Sequence, residues 1–409
     1  MKILIICDLF PPDVKGGYEL RCEEACRWLN QNGYQVEVLT TKSQEADEEC
    51  PFPVHRLLMQ YPQGATPSNW TFGKKIFFAI RDNLIFKKVL RRSKPDIIYV
   101  WNCTGISRSL IPNIFSSEVR KIVDVSSTWL LKVSSQHGPI YRIIEGNHQE
   151  YLNKIFIFFL KSLLPFVSLN TIQRKYDLDL HNADGYFTSR WNKQFHTEYL
   201  EECKKFKVIS TGIDPKEFPY YEKNIDPSII RLLYIGRISK EKGFLLLLDQ
   251  LDYLRSNSNK KFVLTIIGTQ NNDEKNIIEE TIVRLGLERM MIFKGQIGRD
   301  KLFEYYHQAD FTVFPSIWDE PFSRVPLESM ASGTPCISTD NPGSKELFEL
   351  KAPLLLLERS KDGLSKSLNP FLQKWEDYQK VSFSGRKFVE ESFTFDNFMK
   401  NVQKQFFLQ

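Results

Sequence analysis

Short runs rich in Ile, Val, Leu and Phe occur in two successive series, each alternating with segments of helix length. The first series comprises Lys2–Cys7, Val36–Thr40, Asp96–Trp101, Lys121–Ser126, Gly185–Thr188 and Lys207–Ser210. The second comprises Ile230–Ile235, Phe262–Ile267, Met290–Lys294, Phe311–Phe314, Pro335–Ser338 and Leu354–Leu357. Near-continuous apolar runs suit the strands of a parallel sheet, whose two faces are both covered by helices. The alternation predicts βαβ units, and the restart predicts a second sheet. Between the series, Ser210-Thr-Gly-Ile-Asp-Pro-Lys-Glu-Phe-Pro-Tyr carries Gly212, Pro215 and Pro219, which interrupt any regular element. A chain of 409 residues also exceeds what one core usually holds. The expectation is an α/β protein of two Rossmann-like, doubly wound domains facing a cleft.

Charge and cysteine content narrow the function classes. A formal charge of +5 is small for this length, and the basic residues form no long arm, which argues against a nucleic-acid partner. One local run differs. Lys74, Lys75, Arg81, Lys87, Lys88, Arg91, Arg92 and Lys94 punctuate the apolar segment 76–90 and read as a basic amphipathic helix, with an anionic membrane surface as the partner it suits. Seven scattered cysteines show no zinc-site spacing, so no metal site is expected. Cys22 and Cys26, one helical turn apart, read as core packing, and the lack of a disulfide framework suits a reducing compartment. The N-terminal apolar run is too short for a signal peptide, and the run 155–169 is too short to span a bilayer. A cytoplasmic location follows, peripheral on the inner face of the membrane if the basic helix binds there.

Three segments could carry chemistry. The strand Lys2–Cys7 leads through Asp8-Leu-Phe-Pro-Pro-Asp-Val-Lys to Gly16 and Gly17, and a helix with Tyr18, Cys22, Ala25 and Leu29 on one face follows. Glycines at a helix start let backbone N–H groups approach a phosphate, although a plain turn explains them equally well. The dinucleotide Gly-x-Gly-x-x-Gly pattern is absent, which disfavours NAD or FAD. In the second half, Gly236-Arg237-Ile-Ser-Lys-Glu-Lys242-Gly243 follows a strand, placing Arg237 and Lys242 at the C-terminal edge of the sheet. An Arg that bonds two oxygens and a Lys point charge suit a diphosphate, including one departing as a leaving group. The third segment is Glu320-Pro-Phe-Ser-Arg-Val-Pro-Leu-Glu328, ahead of Gly333. Pro321 biases Glu320 towards a loop conformation, whereas Glu328 falls inside the helix. Free N–H groups around Phe322, Ser323, Arg324 and Val325 would face a bound anion, and carboxylates nearby could accept hydrogen bonds from sugar hydroxyls.

With these three segments in this order, the chain resembles the family 4 (group 1) retaining glycosyltransferases of the GT-B fold over nearly its whole length. The resemblance implies an N-terminal acceptor-binding domain of residues 1–210 plus 393–409, the last helix returning to it, and a donor-binding domain of residues 211–392. It implies that Arg237 and Lys242 hold the diphosphate of a nucleotide-sugar donor, with Gly16 and Gly17 approaching from the first domain. Glu320 and the amides of Phe322, Ser323, Arg324 and Val325 would grip the donor sugar, and Glu328 the ribose. Glu320, Arg237 and Lys242 are the residues it marks as catalytic. Transfer to a glycan or lipid-linked acceptor would retain the anomeric configuration without a cofactor or metal.

The chain departs from the family pattern at Ser126, where many relatives carry a His after the corresponding strand; Asp124, Ser126 or Ser127 would have to replace it. Ser323 stands for a frequent Gly, and Gly268-Thr-Gln-Asn-Asn lacks a second Gly. The six histidines at 55, 137, 148, 181, 196 and 307 fall in no catalytic pattern, and acceptor recognition is expected in the segment 130–170. The competing readings are a sugar-nucleotide-binding protein that lacks turnover and another GT-B enzyme such as an epimerase.

Overall fold

The computed structural model describes residues 1–43, 50–61, 72–135, 178–223, 226, 228–270 and 272–408. Most of the expected acceptor segment, with His137 and His148, lies outside them. The chain divides into two compact units, Met1–Ile209 with Gln403–Gln409, and Ser210–Val402.

The first unit is built on a seven-stranded sheet of order β3-β2-β1-β4-β5-β6-β7. Its strands are β1 Lys2–Ile6, β2 Gln35–Thr41, β3 Val54–Leu58, β4 Ile97–Val100, β5 Arg120–Val125, β6 Ala183–Phe187 and β7 Lys207–Val208. Every pairing is parallel. Strand β3 was absent from the expected series. It is an edge strand, half-exposed along most of its length, and carries His55 and Arg56, so it needs no continuous apolar run. The helix Gly17–Gln31 packs Cys22, Ala25, Cys26 and Leu29 inward and ends ahead of Gly33, whose φ of 83° is a conformation that glycine adopts without strain.

The second unit carries a six-stranded, all-parallel sheet of order β10-β9-β8-β11-β12-β13. Its strands are β8 Ile229–Ile235, β9 Lys261–Ile267, β10 Met291–Gly295, β11 Phe311–Phe314, β12 Cys336–Ser338 and β13 Leu355–Leu356. Two apolar clusters cover its faces. One gathers Leu232, Tyr234, Leu247, Leu251, Leu264 and Phe311; the other gathers Leu233, Leu327, Met330, Leu347, Val389 and Phe393. Both sheets reverse their strand order beside the first strand, between β1 and β4 and between β8 and β11. Loops diverge at such a reversal and leave a crevice at the C-terminal edge, where open α/β sheets bind ligands.

The C-terminal return is shorter than expected. Phe393 stacks on Phe388 and Phe322 within the second unit, and Ile213 pairs with Thr394 in a parallel bridge. The helix Phe395–Val402 stays with that unit, and only Gln403–Gln409 joins the first. There Phe406 and Phe407 pack on Tyr186 and Tyr99, and Arg120 donates to the Phe406 carbonyl at 2.8 Å. The division falls at Val402 because Phe398, Met399 and Val402 give the helix a continuous buried stripe that ends there.

Candidate functional site

In the second unit, three loops at the C-terminal edge are tied together by their backbones. The loop after β8 ends at Gly243, whose φ is 71°; a Cβ there would lie 1.8 Å from the Pro315 carbonyl oxygen of the loop after β11. A side chain is therefore excluded by backbone conformation and by space alike. The amides of Ile317 and Trp318 both donate to the Glu241 carbonyl, at 3.1 and 2.9 Å. The loop after β12 joins through Gly343, whose amide donates to the Glu320 carbonyl at 2.8 Å, and through Asn341, whose side chain caps the next helix at the Ser344 amide. Glu320 is thus placed by both neighbouring loops.

This tethering brings Lys242 and Glu320 into a direct ion pair, each side chain less than a fifth exposed. Burial pushes the Lys242 ammonium down to about 8, and the nearby Arg237 pushes in the same direction, against the opposing pull of Glu241. Arg237 itself is well exposed and bonds Glu241 at 2.8 Å. The helix Arg324–Ala331 begins after Ser323, whose side chain makes no capping bond, and Pro326 in its first turn has no N–H to offer. The remaining N–H groups of that turn have no carbonyl partner within the helix, which leaves a locally positive end. Cations, a paired carboxylate and the positive end of a helix therefore share the β8/β11 edge.

Glu328 is not on a solvated helix face. Its side chain is 5% exposed, accepts from the Tyr306 hydroxyl at 3.0 Å, and is flanked by Arg299 at 3.3 Å and Arg324 at 3.5 Å. Burial first, and the adjacent carboxylate second, drive the Tyr306 phenol well above its ordinary value, so it stays a donor. Arg299 also bonds Glu217 at 2.6 and 2.9 Å and lies over the Phe218 ring. Neither Arg299 nor Tyr306 was expected from the sequence; both stand on the helix Arg299–Gln308, in no motif. Trp318, nearly half exposed beside Glu320, is a further side chain at this edge that the motif reading passed over.

In the first unit, Gly16 precedes the helix that Gly17 opens. Its φ of −172° is ordinary extended backbone, and a Cβ there would meet nothing within 4 Å. Neither turn geometry nor packing accounts for this glycine, and the space over it is open. The preceding loop is held from below by Asp8, whose carboxylate accepts from the amides of Leu9 and Gly105 and from the Thr104 hydroxyl, while burial raises its pKa.

Of the groups considered as replacements for the family His, Asp124 is enclosed. Its carboxylate accepts two bonds from the Arg21 guanidinium at 2.7 and 2.9 Å, one from the Ser126 hydroxyl at 2.6 Å and one from Tyr186 at 2.7 Å. Arg21 in turn lies against the rings of Trp101 and Tyr18. Asp124 has no exposed surface and serves the core, whereas Ser126 is half-buried with its hydroxyl donated inward. Arg21 stands in no motif of the sequence; its one signal is its place a turn before Ala25, on the buried face of its helix.

Residues 221–388 match the family described as Glycosyl transferases group 1. An uncharacterized glycosyltransferase of Methanocaldococcus jannaschii is 29% identical over 210 residues, which cover 48% of this chain and 53% of the relative. The chain spans little more than half the length of the first curated relatives of this kind. Among solved structures, sucrose-phosphate synthase from Thermosynechococcus elongatus superposes with a TM-score of 0.73 at 18% identity, covering 99% of this chain and 98% of that one. Anabaena HepE in complex with UDP-glucose superposes with a TM-score of 0.67 at 17% identity over the full length of both chains. The fold class is therefore GT-B, with two Rossmann-like parallel-sheet units.

Proposed function

We propose that this chain is a retaining glycosyltransferase of family 4, moving a sugar from a nucleotide diphosphate sugar to a glycan or lipid-linked acceptor. The observation that carries the reading is the meeting of Lys242 and Glu320 at the β8/β11 reversal, beside Arg237 and the uncapped start of the helix Arg324–Ala331. The group 1 match spans all of these residues, and the fold is shared with a structure that holds UDP-glucose.

In this reading Arg237 and Lys242 bind the donor diphosphate and offset the charge that gathers on it as the bond to the anomeric carbon breaks. On the first unit, Gly16 and Gly17 leave the backbone open to a phosphate, for which the open space over Gly16 is the support. Glu320 and the amides of Phe322, Ser323, Arg324 and Val325 orient the donor sugar. Glu328 accepts from the ribose hydroxyls, held in place by Tyr306 and Arg299. The acceptor hydroxyl bonds to the anomeric carbon on the face the diphosphate leaves and passes its proton to the departing diphosphate oxygen, so configuration is retained, and the two cations serve in place of a metal ion. Lys242, released from Glu320 by the incoming phosphate, exchanges one anionic partner for another, and Glu320 becomes available to a sugar hydroxyl.

The alternative, a protein that binds sugar nucleotides without turnover, is favoured by Ser126, which stands at the family's His position and directs its hydroxyl into Asp124. Incubating purified protein with UDP-sugars and candidate acceptors separates the two. Transfer that is lost in Glu320→Ala and Lys242→Ala supports the enzyme. Tight donor binding with neither transfer nor hydrolysis on any acceptor supports the binding protein and overturns the proposal.

A further inference from the structure

The helix Phe72–Ser93 shows a surface that the reaction does not use. Its inward face buries Ala79, Asp82, Phe86, Val89 and Ser93. On the outward face Phe77 is 61% exposed and Leu84 is 59% exposed. They are seven residues apart, two turns along one stripe of the helix. The exposed residue one turn before Phe77 is Lys74, and the exposed residues one and two turns after Leu84 are Lys88 and Arg91, with Lys87 and Arg92 exposed alongside. The helix holds a single carboxylate, that of Asp82, which has no exposed surface and accepts from the Met59 amide at 3.3 Å. No acid of this helix therefore faces outward. Arg81, between the two apolar residues, is drawn to the side: it bonds the Leu57 carbonyl and lies over the Phe78 ring. Leu57 itself, on the neighbouring edge strand β3, is 41% exposed.

A row of lysines and arginines alone is adequately explained by solvation. Two large apolar side chains in the middle of that row are not, because water is a poor environment for both, and even with the Phe77 ring edge-on to Phe78 more than half of each stays exposed. An apolar centre with a cationic border matches an anionic bilayer surface: acyl chains take Phe77 and Leu84, and headgroup phosphates face the cations. A soluble polyanion would engage the border and leave the centre in water. We infer that the outward face of the helix Phe72–Ser93 is a membrane-docking surface for anionic lipid, with Phe77 and Leu84 entering the interface. The inference does not depend on the reaction proposed above.

The test is sedimentation of the full chain with vesicles of phosphatidylcholine alone and of phosphatidylcholine containing about one third phosphatidylglycerol. Each cation near an anionic surface contributes about 1 kcal/mol, or roughly fivefold in partitioning. Binding is expected only to the anionic vesicles, weakened by about 0.5 M salt, at which the screening length falls to a few ångströms. Lys87→Ser/Lys88→Ser should reduce it by about 25-fold, the product of two such contributions. Phe77→Ser/Leu84→Ser should reduce it by at least about tenfold, since burial of either side chain is worth more than 1 kcal/mol. All four positions are exposed, so both variants should keep the wild-type thermal unfolding midpoint and their activity on soluble donor and acceptor. Equal sedimentation with both vesicle types would overturn the inference. So would full binding by Phe77→Ser/Leu84→Ser with displacement by a soluble polyanion, which would mark a polyelectrolyte site instead of a lipid one.

Discussion

Lys242 is the residue on which the proposed chemistry depends most. Its ammonium titrates near 8, so in the free protein it is charged below that pH and neutral above it. As a diphosphate ligand it should make kcat/KM for donor fall as pH rises through about 8, a limb that Lys242→Arg moves to higher pH because guanidinium stays charged. A pH profile of donor turnover for the two proteins decides this; an unchanged limb in the variant would remove Lys242 from the role. His196 gives a second pH effect, on stability. It has no exposed surface, its Nδ1 faces the Asn192 carbonyl at 2.8 Å, and burial lowers its pKa to about 4. The folded state holds it neutral, whereas the unfolded chain protonates it below about 6.5. Its contribution is thus complete above pH 6.5 and is lost as pH falls towards 4, by about 3 kcal/mol in all. Urea unfolding at pH 7 and pH 4.5 should show this loss, and His196→Gln should show less of it. Glu320 and Lys242 were each legible as residues within a local pattern, but their contact was not, because it depends on two loops meeting across the β8/β11 pair. Arg299 and Tyr306 left no local pattern at all: their relation to Glu328 exists only once the helix Arg299–Gln308 packs beside the helix Arg324–Ala331.

At the scale of elements, the loop from Arg237 to Gly243 shows how backbone demands shape a site. Gly243→Ala brings a Cβ into the Pro315 carbonyl and strains a positive φ, so it should cost at least about 2 kcal/mol and weaken donor binding together with stability. Denaturant unfolding and a donor titration on the same variant check both effects. The strands were legible wherever both faces are buried, since parallel strands such as β4 and β11 are buried at every position and carry at most one polar residue among large apolar ones. The edge strand β3 was not, because exposure relaxes the pattern from which strands are read. The ion pair between the helix Gly17–Gln31 and β5 makes a further element-level prediction. Asp124→Ala leaves the Arg21 guanidinium buried without its counter-charge and should destabilise by about 3–5 kcal/mol, measurable as a fall in the thermal midpoint.

The whole molecule is one chain that leaves its first unit at Ile209 and re-enters it at Gln403. Ligand that binds only the folded protein raises the midpoint of unfolding by mass action, so a thermal-shift screen of nucleotide sugars should single out the donor. Phe407→Ala should act on the first unit. It removes a side chain packed against Tyr34 and Tyr99 and should cost about 3–5 kcal/mol, seen as earlier loss of near-ultraviolet circular dichroism. The two-unit organisation was legible because the series of strands restarts. The position of the re-entry was not, because Phe393 and Phe406 are equally apolar and only packing tells which unit each belongs to.

The late re-entry also sets an order of events at the ribosome. The surface formed by Tyr34, Tyr99 and Tyr186 awaits Phe406 and Phe407, and these are made only after the whole of residues 210–402 has been translated. The first unit therefore spends the synthesis of the second with an aromatic face uncovered, which closes only after Phe406 and Phe407 have emerged. A nascent chain arrested before Gln403 should carry that exposed face into contact with whatever holds unfinished proteins in solution.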